Sequence, residues 1–150
     1  MKTILLITLF SLFCSNINAQ DNATACDSTV FIGEYYNDEH KVFIKINFVD
    51  KDILVPGQEI LGELDGFFGS TQSSHIWAIT SSNVEGDTAQ IEVINNYGSE
   101  DFTASIIIKN DGTLEFKHLS GSTFKFPVNK KWQKLPSKLI FIKKETINLK

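Results

Sequence analysis

Residues 33–48 hold two runs hinged on Asn37-Asp38-Glu39-His40, and in the second run Val42, Ile44, Ile46 and Phe48 recur at every other position. A period of two puts successive side chains on opposite faces of an extended strand. Similar alternation continues along almost the whole chain, and no stretch of twelve residues carries an apolar stripe at i, i+3, i+4 and i+7. The pattern predicts an all-β protein.

Strands are predicted over residues 29–36, 42–49, 52–55 running on into 59–65, 75–81, 88–95, 102–109, 113–119, 123–128 and 138–143. Turn chemistry separates them. In Val55-Pro56-Gly57-Gln58 the proline presets one φ and the glycine takes the positive φ that follows, which suits a type II turn. Lys109-Asn110-Asp111-Gly112-Thr113 is the sharpest hairpin signal, so residues 102–109 and 113–119 should pair antiparallel. Eight or nine short strands with short connections favour an antiparallel meander. Such a sheet must hide one apolar face and two edges, and closing into a small barrel does both. A β-sandwich is the alternative. In the barrel the last strand, 138–143, should lie against the first.

The more apolar face of each strand places Val42, Ile44, Ile46, Phe48, Ile60, Leu64, Ile91, Val93, Phe102, Ala104, Ile106, Ile108, Leu114, Phe116, Phe124, Phe126, Leu139 and Phe141 inward. Six of these are phenylalanines, each with roughly 150–250 Å² to bury. An eight-stranded barrel is just wide enough to be filled by side chains or to hold one small ligand. Six Phe favour filling, although the lumen of an apolar-ligand carrier would read similarly.

The N-terminus reads as an export signal. Lys2 precedes an uncharged run from Ile4 to Phe13, and Ile17-Asn18-Ala19 supplies the small residue of a cleavage site, predicted after Ala19. The run is short of the about 20 apolar residues of a membrane-spanning helix. Lipidation at Cys14 would need a small residue before it, where Phe13 stands. Residues 1–19 are thus a signal peptide and residues 20–150 one all-β domain, located in the periplasm or secreted. Removing 19 of 150 residues leaves 131, a length at which about two-thirds of the unfolded surface is buried on folding. Cys14 leaves with the signal, so Cys26 is alone and the fold has no internal disulfide to rely on. Asn22-Ala23-Thr24 is a glycosylation sequon, with meaning only in a eukaryotic secretory pathway. The chain has no arginine, and its signal region resembles those of exported Bacteroidota proteins.

Gly33-Glu34-Tyr35-Tyr36-Asn37, the strand Val42 to Phe48 and Ile60-Leu61-Gly62-Glu63-Leu64 together resemble the opening of calycin barrels, the lipocalin and avidin group. That resemblance implies an eight-stranded meander barrel and covers about a quarter of the mature chain. Tyr35 stands where the group places Trp, and Lys143 where it places the Arg that stacks on that Trp. No ligand-binding residue carries over.

Charge is divided along the chain. Gln20 to Asp101 holds fifteen Asp and Glu against three Lys, and Phe102 to Lys150 holds three acids against ten Lys. A dipolar surface of this kind steers an oppositely charged partner, or the two halves attract each other across the first and last strands. An acidic mature chain with one aromatic in its lysine cluster argues against nucleic acid.

Catalytic signals are few. His40, His75 and His118 lie in separate elements without metal-ligand spacing, and no nucleophile elbow, zinc or phosphate-loop motif occurs. Neither an enzyme nor a cofactor is expected. His118 reads as a rim or satisfied core residue. Glu59, Glu63 and Asp65 alternate on one face of the predicted third strand, with Glu34 on the first, an arrangement from which a paired-carboxylate glycosidase can be built, and they read more simply as solvated outer-face acids. Asp50-Lys51-Asp52 is half a calcium loop and reads as a turn. Aromatics in loops are better clues to contact surfaces. Phe67 and Phe68, ahead of a polar stretch from Gly69 to Ser74, form the first candidate partner-binding surface. Lys130, Lys131, Trp132 and Lys134 form the second, unless Trp132 and Leu135 plug one barrel end. The expected function is non-enzymatic binding of a protein or other macromolecule, in the manner of periplasmic inhibitors or immunity proteins. Carriage of a small apolar ligand is the alternative.

Overall fold

The computed structural model describes residues 28–144. The predicted cleavage site after Ala19, the sequon, Cys26 and the tail 145–150 lie outside the described residues. After a single 3-10 turn, Ser28–Phe31, the chain forms β1 (Ile32–Asn37), β2 (Val42–Asn47), β3 (Ile53–Leu54), β4 (Glu63–Leu64), β5 (Gly66–Ser70), β6 (Ser73–Glu85) and β7 (Thr88–Asn95). It continues with β8 (Asp101–Ile108), β9 (Leu114–Gly121), β10 (Lys125–Val128), β11 (Lys131–Lys134) and β12 (Lys138–Lys143).

Eight strands close an antiparallel barrel in the order β1-β12-β9-β8-β7-β6-β5-β2. This is an all-β meander, interrupted by two small hairpins, β3–β4 and β10–β11, that lie outside the ring of strands. The barrel, not the sandwich, is the architecture. Lys109 N–H bonds Thr113 C=O at 2.8 Å and Ile108 pairs with Leu114, which is the hairpin that Asn110-Asp111-Gly112 predicts. Gly57 has φ 75° and Gln58 N–H bonds Val55 C=O at 3.0 Å, the turn that Pro56-Gly57 predicts.

The barrel closes where the last strand meets the first, through Tyr35 opposite Lys143 and Tyr36 opposite Ile142. Lys144 N–H bonds Glu34 C=O and Asn37 Nδ2 bonds Ile140 C=O, both at 2.9 Å. Lys143 lays its ammonium 5.6 Å from the centre of the Tyr35 ring, whose hydroxyl donates to Val30 C=O at 2.8 Å. This seam is short in backbone bonds and is reinforced by side chains.

The interior is filled. β5 and β9 stand diametrically opposite in the ring of eight, yet Phe68 of the first meets Phe116 of the second edge-to-face, with centroids 5.4 Å apart. Trp77 meets Phe102 at 5.0 Å, and Phe124 lies within 5.1–5.3 Å of Phe68, Phe102 and Phe116. Ring pairs at these separations leave no lumen at their level. At the other mouth, Phe31 of the 3-10 turn stacks on Phe48 at 5.6 Å.

Three parts of the sequence reading need correction, two of them between residues 59 and 74. Residues 59–65 do not form a barrel strand: Glu59–Leu61 is a 3-10 turn, Ile60 is 96% exposed, and Gly62 has φ 73°, which breaks the extended path to Leu64. Phe67 and Phe68 are not in a loop but on β5, both buried. Phe68 points into the barrel. Phe67 points outward into a second apolar cluster with Ile53, Val55 and Ala78, so the arm carrying β3 and β4 covers it. The polar stretch after it is a two-residue turn, with Ser70 opposite Ser73 and Thr71 N–H bonding Lys41 C=O at 3.0 Å. Residues 123–128, predicted as a barrel strand, do not join the barrel wall: Lys125–Val128 pairs with β11 instead.

Candidate functional site

The β10–β11 hairpin folds over one barrel mouth, and its sequence specifies both of its faces. Asn129 and Lys130 turn the chain with φ 51° and 64°, the left-handed pair that a two-residue turn between twisted strands requires. On the inner side, Phe124 and Phe126 are buried in the barrel core. The Trp77 indole N–H donates to Lys125 C=O at 2.9 Å and fixes the hairpin to the barrel wall. On the outer side all four residues of β11, Lys131 to Lys134, are exposed, and Trp132 is 53% exposed.

Beside the hairpin, the β7–β8 loop is organised by Asn95, which is itself buried. Its side-chain oxygen accepts from the N–H groups of Tyr97 and Ser99, at 3.2 and 3.0 Å. Its amide donates to Glu100 Oε2 at 3.2 Å. The loop therefore holds Tyr97, 75% exposed, next to the hairpin. Glu100 Oε1 in turn accepts from Lys125 Nζ at 2.6 Å, and the same ammonium lies 5.1 Å from the Trp132 ring centre. That ion pair ties the hairpin to the loop, and the bond from Lys125 holds the Glu100 carboxyl below its ordinary range.

Between the two lies an open cleft of about 240 Å³, lined by Ser73, Ser74, His75, Asn96, Tyr97, Pro127, Lys130, Lys131 and Trp132. His75 lies at its base, 4% exposed, with ring centroids at 5.2 Å from Trp132 and 5.9 Å from both Tyr97 and Phe126. Burial pushes its imidazole pKa down; Glu100 opposes that shift and Lys125 adds to it. Ser73 Oγ, His75 Nε2 and Asn96 Oδ1 are buried and have no hydrogen-bond partner among the described residues. Each such group costs about 1–3 kcal/mol when left unpaired. All three belong to this one cleft.

The second surface predicted from sequence is therefore an exposed one. Lys130, Lys131 and Trp132 line the cleft and Lys134 lies on the same exposed strand, whereas Leu135 packs partly buried against the core. No ion pair engages Lys130, Lys131 or Lys134 among the described residues. The first predicted surface is not assembled, because Phe67 and Phe68 are buried on β5. Ser73 entered the sequence reading only within the stretch Gly69 to Ser74, and His75, Asn96 and Tyr97 were not read as site residues, since the cleft joins three stretches that no local motif links. The alternation of His75 with Trp77 and Ile79, all buried on β6, is the signal that could have placed His75 on an inward face.

The acids of the opposite half are engaged or scattered. Asp65 is buried and paired with Lys51 at 2.8 Å, Glu63 is exposed on β4, and Glu59 belongs to the 3-10 turn. They share no face. Asp50 and Asp52 both accept from Asn47 Nδ2, at 3.2 and 2.8 Å, within a turn. His118 Nε2 bonds Ser122 C=O at 2.9 Å, as suits a satisfied rim histidine.

No family model, curated protein or solved structure matches this chain. Among the described residues no helix is long and apolar enough to cross a membrane.

Proposed function

We propose that this protein is exported, with cleavage near Ala19, and binds a macromolecular partner through the capped mouth of its barrel without catalysing a reaction. The observation that carries this reading is the pairing of a filled interior with an aromatic and cationic exterior. Phe68 and Phe116 touch across the barrel, while Trp132 stands exposed among Lys130, Lys131 and Lys134. Exposed Trp beside a concave surface is a favoured anchor in interfaces. Unpaired lysines at the rim add long-range attraction to an acidic partner.

Position along the chain supports the charge argument. The lysine-rich segment from Phe102 onward supplies β8, β9, the cap hairpin and β12, and the three barrel strands among these are neighbours in the ring. Of the ion pairs among the described residues, Lys125–Glu100 alone joins the two charge halves, so ion pairing between them accounts for little of the division.

The calycin resemblance belongs to the same reading. Tyr35 and Lys143 meet at the closing seam in the way the resemblance implies for Trp and Arg, and the N-terminal 3-10 turn brings Phe31 to the mouth opposite the cap. The alternative, a lipocalin-like carrier of a small apolar ligand, needs room that the crossing rings occupy. Sites for such ligands run to about 300–1,000 Å³.

The test is affinity capture from the exported fraction of the native cell, with the wild-type chain and a Lys130→Glu/Lys131→Glu/Lys134→Glu variant as baits. A partner retained at low salt by the wild type, released at high salt and missed by the variant is the expected result. Equal recovery on both baits, or none on either, rejects the reading.

A further inference from the structure

The cleft's chemistry narrows what enters it. We propose that it binds one acidic sugar residue, a hexuronate or a similarly carboxylated pyranose, presented by a glycan. This deepens the reading of the capped mouth as the binding surface and rests on it.

Three polar atoms of residues that line the cleft, Ser73 Oγ and His75 Nε2 on β6 and Asn96 Oδ1 in the β7–β8 loop, are buried just beneath its surface without partners. A serine hydroxyl and a neutral imidazole nitrogen serve as donor or acceptor, and an amide oxygen accepts. The occupant must therefore offer at least three polar groups, some of them donors. A carboxylate side chain brings two acceptor oxygens only and sets them against Asn96 Oδ1. An ammonium or guanidinium brings donors only and meets Lys130 and Lys131. A phenol has one polar atom. A pyranose ring carries several hydroxyls, each both donor and acceptor, at spacings that reach groups on adjacent walls.

The walls match the rest of such a ring. Trp132 and Tyr97 are exposed aromatics flanking His75, and they offer flat apolar faces to the C–H face of a sugar. Lys130 and Lys131, exposed and in no ion pair among the described residues, stand at the rim where a ring carboxylate would point. The volume of about 240 Å³ suits one ring rather than a chain. Entry requires the Trp132 ring, now edge-on to His75 at 5.2 Å, to rotate outward. Its strand is exposed at all four residues, so what that rotation gives up is the contact of the ring with His75 and with the Lys125 ammonium.

The experiment titrates the mature chain with sodium D-glucuronate, D-glucose and sodium acetate at constant ionic strength, following the His75 imidazole and Trp132 indole signals by NMR. Saturable shifts with glucuronate, at least about tenfold weaker affinity for glucose, and no saturable shift with acetate are expected. Asn96→Ala and Ser73→Ala should each weaken glucuronate binding about tenfold while leaving the Trp77 indole signal, held by Lys125 C=O, in its native position. Lys130→Ala/Lys131→Ala should remove the preference for glucuronate over glucose. Acetate shifting the same signals as glucuronate, or Asn96→Ala binding undiminished with a native Trp77 signal, overturns the proposal. If glucuronate does not saturate while partner capture stays lysine-dependent, the sugar is wrong and the surface stands. If capture fails as well, the reading beneath it falls.

Discussion

Substituting Phe68 by Ala separates a filled barrel from a hollow one. The ring is fully buried and lies 5.4 Å from Phe116, 5.1 Å from Phe124 and 6.3 Å from Phe141. Removing about 150 Å² of buried apolar surface at ~25 cal/mol/Å² forfeits roughly 4 kcal/mol. Each of the two closest ring pairs adds about 0.5–1.5 kcal/mol. Partial collapse of the site offsets some of this, which puts the expected loss at about 3–5 kcal/mol. In urea, with a slope of about 2 kcal/mol/M, the midpoint should fall by about 2 M at unchanged slope. The void left behind is lined by Phe and Ile side chains, so it should stay dry and take up an apolar probe such as benzene or xenon. A ring already facing an empty lumen would lose only its transfer term on one side. A loss under about 1.5 kcal/mol, or probe binding by the wild type as strong as by the variant, refutes the packing argument and revives the carrier reading.

Gly66→Ala should cost upwards of about 2 kcal/mol, because a Cβ there would overlap the carbonyl oxygen of Lys45 and come 3.1 Å from Ile46 Cα, where β2 and β5 approach; a thermal melt matching wild type would contradict the register. Below about pH 6.5 the fold should lose stability through His75: its folded pKa is depressed by burial, so the unfolded chain binds more protons as pH falls, and the contribution is complete above the unfolded value and lost beneath it. Melts between about pH 7.5 and about pH 5.5 should therefore slope less in His75→Gln than in wild type, and equal slopes would exonerate the residue. Lys143→Met keeps the stem over Gly33 but removes the charge from the Tyr35 ring; about 0.5–2 kcal/mol should be lost by urea titration, and none if the seam rests on backbone pairing alone.

What the sequence made legible was whatever a single strand or turn encodes by itself. Ile44, Ile106 and Phe116 alternate with half-exposed or exposed neighbours, so strand and inward face are read together, and Asn110-Asp111-Gly112 marks its own hairpin. β5 gives no such signal: all five of its residues are buried, the inner face by the barrel and the outer by the arm carrying β3 and β4. A strand covered on both sides has no alternation to display, and its two glycines suggest a loop. Ile60 failed for the opposite reason. It is spaced two and four residues from Gly62 and Leu64, but the positive φ at Gly62 takes it out of any shared face. The cleft was illegible because Ser73, His75, Asn96 and Trp132 are brought together by the hairpin folding over the mouth, which depends on Trp77 finding Lys125 C=O across 48 positions of chain.

That hairpin links the two halves of the functional reading. Its inward residues, Phe124 and Phe126, join the core packing of the barrel, and its outward residues, Lys131 and Trp132, form one wall of the cleft. A chain whose barrel is packed this way presents the cleft at the capped mouth on its outside. The arrangement also accounts for the burial of His75 Nε2: Phe126 packs beside the ring from the core and Trp132 from the surface, and both of these rings are set by the same short turn at Asn129 and Lys130. Loosening that turn should therefore disturb core and cleft together. A Pro at position 130 cannot adopt the positive φ found there, and Lys130→Pro should shift the Trp77 and His75 NMR signals alike. A variant that moves the His75 signal and leaves Trp77 untouched would show that the cap and the core are independent, and the coupling argued here would be gone.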